Sequence, residues 1–171
     1  MKKIIFSLTF LFFVSAADAG KLIQIFSVEN SVSIKTPTGG ELIYKSSDNI
    51  PNVAYGSTIT ALCGPVNIKI FSDSAEIFLE KDQSVFITKN PITKAIELLK
   101  RESKNQKPVK IILAGRANAY VGYDTKISLT EQYPSVFFEV KTGRAIVRGL
   151  EGRMFEIEAG DRYEARKSLL D

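Results

Sequence analysis

Apolar and polar residues alternate in short runs through the first half of the chain, which predicts β-strands. Leu22, Gln24, Phe26 and Val28 form one side of a mostly apolar alternating run. Val32 and Ile34 continue the alternation, and residues 36–40 interrupt it with proline and glycine. The clearest hairpin lies within residues 66–79, where two alternating runs flank Ser72-Asp73-Ser74. Because successive side chains of a strand point to opposite faces, each run has one apolar face to bury.

Two phenylalanines of this hairpin lie on the faces opposite to its apolar sets. Phe71 and Phe78 make part of the hairpin apolar on both sides, so something has to cover the second side. The next segment of the chain is the favoured cover, and a partner protein is the alternative. We therefore treat Phe71 and Phe78 as candidate partner-binding residues.

A helix is predicted over residues 91–102. Asn90 suits the cap, Pro91 suits the first helical position, and apolar residues recur at helical spacing between 92 and 99. Residues 103–108 then form a polar linker. We expect a short surface helix that packs on the sheet and does not lie in a membrane.

The β pattern resumes over residues 109–165 and ends in a strong hairpin around Leu150-Glu151-Gly152. Its strands echo the first half, since residues 143–147 resemble 64–68 and residues 155–158 resemble 77–80. We predict an all-β fold of mainly antiparallel hairpins, stacked as a β-sandwich or a solenoid-like array. The helix near 91–102 and an N-terminal signal helix are the expected exceptions.

The first nineteen residues are typical of an export signal. Lys2 and Lys3 precede an apolar run that extends to Val14, and Ala17 and Ala19 suit a signal peptidase that cleaves before residue 20. An uncleaved anchor is the alternative, but a spanning helix needs about 20 apolar residues and this run is shorter. We expect a periplasmic or secreted protein without a membrane span after cleavage, built as a single domain over residues 20–171.

Composition excludes several classes of chemistry. The chain has no histidine, so Ser-His and Cys-His catalysis and His-ligated zinc are excluded. It also lacks a Ser-x-x-Lys motif and a glycine-rich phosphate loop. The net charge of +4 is small and its charges are interspersed, which does not indicate nucleic acid as a partner. We predict no cofactor and no metal.

Cys63 is the single cysteine, so no internal disulfide can form. It stands between Leu62 and Gly64 at the end of a β run, and we predict that it is a small buried hydrophobe.

The strand and turn pattern is similar to that of the FecR-like family, an all-β periplasmic domain of iron-transport regulators and of stand-alone exported proteins. The first block of the resemblance is carried by residues 53–60, 64–71, 72–74, 77–79 and 83–87, and the second by residues 120–122, 135–147 and 155–161. The resemblance implies a first β block at about 26–88 and a second at 109–165, on either side of the helix and linker predicted from the pattern at 90–108. It implies a binding module, and we do not extend it to sigma-factor signalling.

The second half supplies the remaining candidate contact residues. Tyr120, Tyr123 and Tyr163 occur near Arg144, and aromatic rings with arginine make good recognition surfaces, although strand tyrosines are also ordinary half-buried residues. We predict a non-catalytic module that binds an envelope or periplasmic protein. The alternatives are a carbohydrate or peptidoglycan-binding domain and a glycan hydrolase.

The hydrolase alternative depends on two carboxylates. Glu156 and Glu158 lie two apart on one strand, near Asp161 and Glu164, and paired carboxylates can hydrolyse sugars. A solvated strand face, balanced by Arg153 and Arg162, is the favoured interpretation of the same residues.

Overall fold

The computed structural model describes residues 23–71, 74–101 and 104–167, and these residues contain fifteen strands and no helix. The predicted export signal over residues 1–19 lies outside the described residues. The described residues contain no helix that is long and apolar enough to cross a membrane. The strands are β1 (Gln24–Val28), β2 (Ser31–Lys35), β3 (Glu41–Lys45), β4 (Ser57–Ala61), β5 (Val66–Ile70), β6 (Ala75–Leu79), β7 (Ser84–Lys89), β8 (Ile96–Lys100), β9 (Val109–Leu113), β10 (Ala117–Val121), β11 (Lys126–Gln132), β12 (Ser135–Thr142), β13 (Arg144–Gly149), β14 (Met154–Glu158) and β15 (Arg162–Arg166).

The strands form two antiparallel sheets. The seven-stranded sheet has the order β1-β5-β6-β9-β10-β13-β14, and the eight-stranded sheet has the order β15-β12-β11-β8-β7-β4-β2-β3. From β5 onward the chain places two strands in one sheet and the next two in the other, so successive hairpins alternate between the sheets. The predicted all-β, antiparallel class is therefore confirmed.

The core lies between the sheets and is built by the period-two pattern. In β5, β6, β9 and β10 every second residue is buried, and the inward side chains of both sheets form one hydrophobic cluster. Ile68, Ile77 and Ile111 from one sheet and Ile59 and Phe138 from the other have no more than 1% of their surface exposed. Burying a large apolar side chain stabilises a fold by roughly 1.5–3 kcal/mol, so this alternation supplies most of the driving force.

The predicted helix over 91–102 is wrong. Asn90 caps a tight turn instead of a helix, because its Oδ1 accepts hydrogen bonds from the backbone N–H groups of Ile92 (3.0 Å) and Thr93 (3.1 Å). The chain then enters β8, which pairs with β7 on one side and β11 on the other. Ile92, assigned to the apolar face of the helix, is 88% exposed. A strand between two partners satisfies its backbone groups on both edges, and this non-local gain outweighs a short helical pattern.

Lys100 ends β8 with an inward-facing ammonium group that is almost completely buried. Its Nζ donates to the carbonyl oxygens of Gln106 (3.0 Å) and Lys107 (2.6 Å), and the buried Gln83 donates Nε2 to the same Lys107 carbonyl (2.9 Å). Burial lowers the pKa of Lys100 because it disfavours the charged form. These contacts fasten the end of the connection between β8 and β9 to the core.

Cys63 is exposed, so the prediction of a buried hydrophobe is wrong. The inward position belongs to Gly64, where an added Cβ would overlap the backbone carbonyl oxygen of Glu29. Gly64 is buried at this close approach, whereas the preceding residue, Cys63, lies at the surface.

The turns after β6 and β14 repeat the same hydrogen bonds. Gln83 N donates to Glu80 O (3.0 Å) while Gln83 Oε1 accepts from Glu80 N (2.9 Å). Asp161 N donates to Glu158 O (2.9 Å) while Asp161 Oδ2 accepts from Glu158 N (3.2 Å). β6 and β14 are thus equivalent strands of an internal repeat. The unit of β9 and β10 lies between them in the sheet, so the echo seen in the sequence skips one unit.

Candidate functional site

The outer face of the seven-stranded sheet carries a row of cross-strand neighbours that extends from β6 to the edge strand β14. Paired residues on successive strands place Phe78 beside Lys110, Lys110 beside Tyr120, Tyr120 beside Ile146, and Ile146 beside Glu156. The row therefore begins with a predicted contact residue, passes through Tyr120, and ends at the edge strand β14. Tyr120 and Ile146 form an aromatic–aliphatic pair, and the other three pairs each include a charged residue, so the row combines apolar and charged contact groups.

A groove of about 570 Å³ opens on this face between β10, β13 and β14. Tyr120, Tyr123 and Arg144 line it together with Ile146, Met154 and Glu156. Tyr123, Ile146 and Met154 are exposed, and Met154 has 72% of its surface open to solvent. We call these six residues the outer groove. Exposed apolar side chains clustered beside tyrosine and arginine are typical of a recognition surface.

Two adjacent turns bring Tyr123 and Arg144 together. Thr125, in the turn after β10, donates its Oγ1 to the backbone carbonyl of Arg144 (3.0 Å), at the start of β13. Gly143 permits this approach, since its φ is +78° and an added Cβ would lie 2.7 Å from Thr125 Oγ1. The groove wall is thus set by a buried hydroxyl and a glycine that lie far apart in the sequence.

The charged side chains of the groove form an open ion pair. Arg144 Nη1 lies 3.3 Å from Glu156 Oε1, and both side chains are more than half exposed. A surface pair of this kind is worth about 0–1 kcal/mol, so either member can exchange its partner for a ligand at little cost.

The other carboxylates considered for hydrolysis have separate structural contacts. Asp161 accepts from the Glu158 backbone N–H, and Glu164 accepts a hydrogen bond from Ser135 Oγ (2.5 Å). Among the residues that the structure describes, no group of three or more cysteine and acidic side chains is arranged to hold a metal ion. The arrangement can bind an extended or ring-shaped ligand by contact and charge.

The edge strand β14 offers unpaired backbone groups next to the groove. Gly149 N donates to Arg153 O (3.0 Å) at the hairpin end, and alternation along an antiparallel pair then directs the N–H and C=O groups of Phe155 and Ile157 to β13. The backbone groups of Met154 and Glu156 point the other way, to the side where the described chain has no further strand.

The six predicted contact residues separate into three places. Tyr120, Tyr123 and Arg144 line the outer groove, and Phe78 lies in the same row, two strands away from Tyr120. Phe71 is only 6% exposed and belongs to the hydrophobic core. Tyr163 is partly buried against the hydrophobic core, and its ring centroid lies 5.9 Å from that of Phe155.

Sequence reasoning missed Ile146 and Met154 as groove residues. Ile146 alternates with the buried Ala145 and Val147, and Met154 lies on the outward side of β14 with Glu156, opposite to the buried Ile157. An outward apolar side chain was therefore the available signal. What was missing was the pairing of β13 with β10, which places Ile146 beside Tyr120.

The chain matches no family model, no curated protein and no solved structure.

Proposed function

We propose that this protein is an exported, non-catalytic binding module of the FecR-like type that captures an envelope or periplasmic protein through the outer groove. The observation that carries the proposal is that three predicted contact residues line one groove together with exposed apolar side chains, beside an edge strand that has no outer neighbour among the described residues. The alternation of hairpins between two sheets is compatible with the stacked β scaffold that the resemblance implies.

The chemistry of the groove suits a protein partner. Tyr120 and Tyr123 offer ring faces with few rotatable bonds, and Arg144 offers a planar set of donors, which are the residue types that dominate binding energy at protein interfaces. Ile146 and Met154 add apolar area that gains free energy when water is excluded. The edge of β14 can supply backbone hydrogen bonds to an extended segment.

Photo-crosslinking in intact cells tests this function. A photoreactive residue replaces Met154 in the groove or, as a matched control, Ile92, which is an exposed apolar residue in the turn before β8. We expect a discrete crosslinked protein from position 154 and none from position 92. Ile146→Ala should reduce the yield, whereas Ile92→Ala should not. Equal crosslinking from both positions would contradict the proposal.

A glycan is the second candidate ligand, favoured by the two tyrosines that line the same groove as the Arg144–Glu156 pair. Binding to purified sacculi without any protein partner would support it. The hydrolase alternative requires released sugar, and that release should disappear in Glu156→Gln.

A further inference from the structure

The internal repeat allows the neighbours of β14 to be compared with those of the equivalent strand β6. The equivalent strand β6 has β5 on one side and β9 on the other, whereas β14 has β13 on one side and no strand on the other within the described residues. The matching turn bonds of Glu80 and Glu158 set the correspondence, so Phe78 corresponds to Glu156 and Glu76 to Met154. The pairing of β9 with β6 is therefore a template for a strand added to β14.

The template specifies backbone contacts. β9 runs antiparallel to β6, with Lys110 opposite Phe78 and Ile112 opposite Glu76. Ala114 N, just beyond β9, donates to Ser74 O (2.8 Å), so the backbone groups of Ile112 and Lys110, which alternate with it, also face β6. In β6, the counterparts of Met154 and Glu156 are Glu76 and Phe78, which pair with Ile112 and Lys110. The outward backbone groups of Met154 and Glu156 therefore occupy the positions that an added strand would bond.

The exposure of the inward side chains also differs between β6 and β14. Ile77, on the inner face of β6, has 0% of its surface exposed, whereas its counterpart Phe155 has 43% exposed although it faces the core side and contacts Tyr163. A strand in the position of β9 would cover the Phe155 ring with its own inward side chains.

We propose that the edge of β14 binds an antiparallel strand from another protein, with apolar side chains at alternate positions facing Phe155, a basic residue opposite Glu156 and an apolar residue opposite Met154. This inference rests on the proposed function and names the form of the bound segment. A second copy of the chain is a poorer occupant, because symmetric pairing centred on the strand sets Glu156 opposite Glu156.

The chain supplies its own probe. A synthetic peptide of residues 107–115 contains β9, and in the template register it places Lys110 opposite Glu156 and Ile112 opposite Met154. We expect saturable binding of this peptide to the purified protein in calorimetry, with the largest amide NMR shifts at Met154 and Glu156.

Methylation of single backbone nitrogens in the peptide supplies the matched control. N-methyl groups at Lys110 and Ile112 remove donors that face β14 and should weaken binding about tenfold or more, by the loss of hydrogen bonds together with a steric block. An N-methyl group at Ile111, which faces away, should change binding less than about threefold, since no bond to β14 is lost. Equal loss from both placements would overturn the proposal.

A variant tests the protein side. Glu156→Pro removes only an amide that faces the free edge, because the Phe155 and Ile157 amides face β13. Peptide binding should be lost in Glu156→Pro and retained in Glu156→Ala, apart from the lost charge. If the proline variant fails to fold, the methylated peptides decide alone.

Two further results separate this inference from the proposed function. If no shift appears at Met154 or Glu156 at millimolar peptide, or if the protein dimerises through β14 instead, strand addition is refuted. Crosslinking of a partner from the groove that persists in Glu156→Pro would leave the binding function in place while removing the strand mode.

Discussion

Ser57→Ala is expected to stabilise the protein, because the hydroxyl of Ser57 is buried without a hydrogen-bond partner. Ser57 begins β4, its surface is 0% exposed, and its Oγ has no hydrogen-bond partner among the residues that the structure describes. A buried hydroxyl left without a partner costs about 1–3 kcal/mol in protein mutational data. Removing one oxygen leaves a void smaller than a methyl group, which offsets part of that gain. We expect a net increase of about 1 kcal/mol in the free energy of unfolding.

Ser33→Ala is the matched control. Ser33 is also buried and also lies in the eight-stranded sheet, but its Oγ donates to Glu41 Oε1 at 2.6 Å. The same substitution there removes a bond worth about 0.5–1.5 kcal/mol and should destabilise the fold. The two variants should therefore move the free energy of unfolding in opposite directions.

Urea denaturation followed by circular dichroism measures both variants, with an unchanged slope as the sign that only stability has moved. For a domain of this size, 1 kcal/mol corresponds to about 2–4 °C in the thermal midpoint. If Ser57→Ala destabilised the protein as much as Ser33→Ala does, the Ser57 hydroxyl would have a partner in solution and the reasoning would fail.

Two further variants test other contacts. Gly64→Ala should destabilise the fold by about 1–3 kcal/mol, because its Cβ would overlap the Glu29 carbonyl. Gly40→Ala should be close to neutral in the same urea titration, because its Cβ would meet only a side-chain oxygen at 3.4 Å. Equal effects of the two substitutions would refute the close approach of Gly64 to Glu29. The hydrogen bond from Lys126 is the main cause that lowers the pKa of Glu97 from its ordinary value of 4.5. The unfolded chain therefore binds more protons in the acid range, so this contribution to stability is present above pH 4.5 and lost as pH falls through the folded pKa. Glu97→Gln should reduce the slope of unfolding free energy against pH in that window, and an unchanged slope would contradict the assignment.

The strands were predictable where burial follows a local pattern. In the hairpin of β5 and β6, residues that alternate in the sequence are the ones with their side chains in the core, because the strand period of two needs no information from elsewhere in the chain. The helix prediction over 91–102 was wrong for the opposite reason. Five residues of β8 are too few to separate a helical from a strand pattern. Its second partner, β11, lies beyond β9 and β10 in the sequence, so the pairing that makes β8 a central strand is not visible locally.

The candidate site divides in the same way. Tyr120, Tyr123 and Arg144 were selected because their chemistry is visible in the sequence, and the fold brings them into one groove. Phe71 has the same chemistry but is buried in the core, and no local pattern distinguishes its burial from the partial exposure of Phe78. Residue type predicts what a side chain can do, whereas neighbours decide whether it is accessible.

By itself, the sequence determined the class of this protein: alternating residues and turn signals specify an all-β antiparallel chain, and the absence of histidine excludes whole families of catalysis. Only the tertiary structure decided which strands are neighbours, that β14 is the last strand of its sheet among the described residues, and that a tyrosine groove lies beside it. The physical reason is that strand pairing joins residues far apart in the chain. A strand can carry the same alternation whether it lies in the middle of a sheet or at its edge.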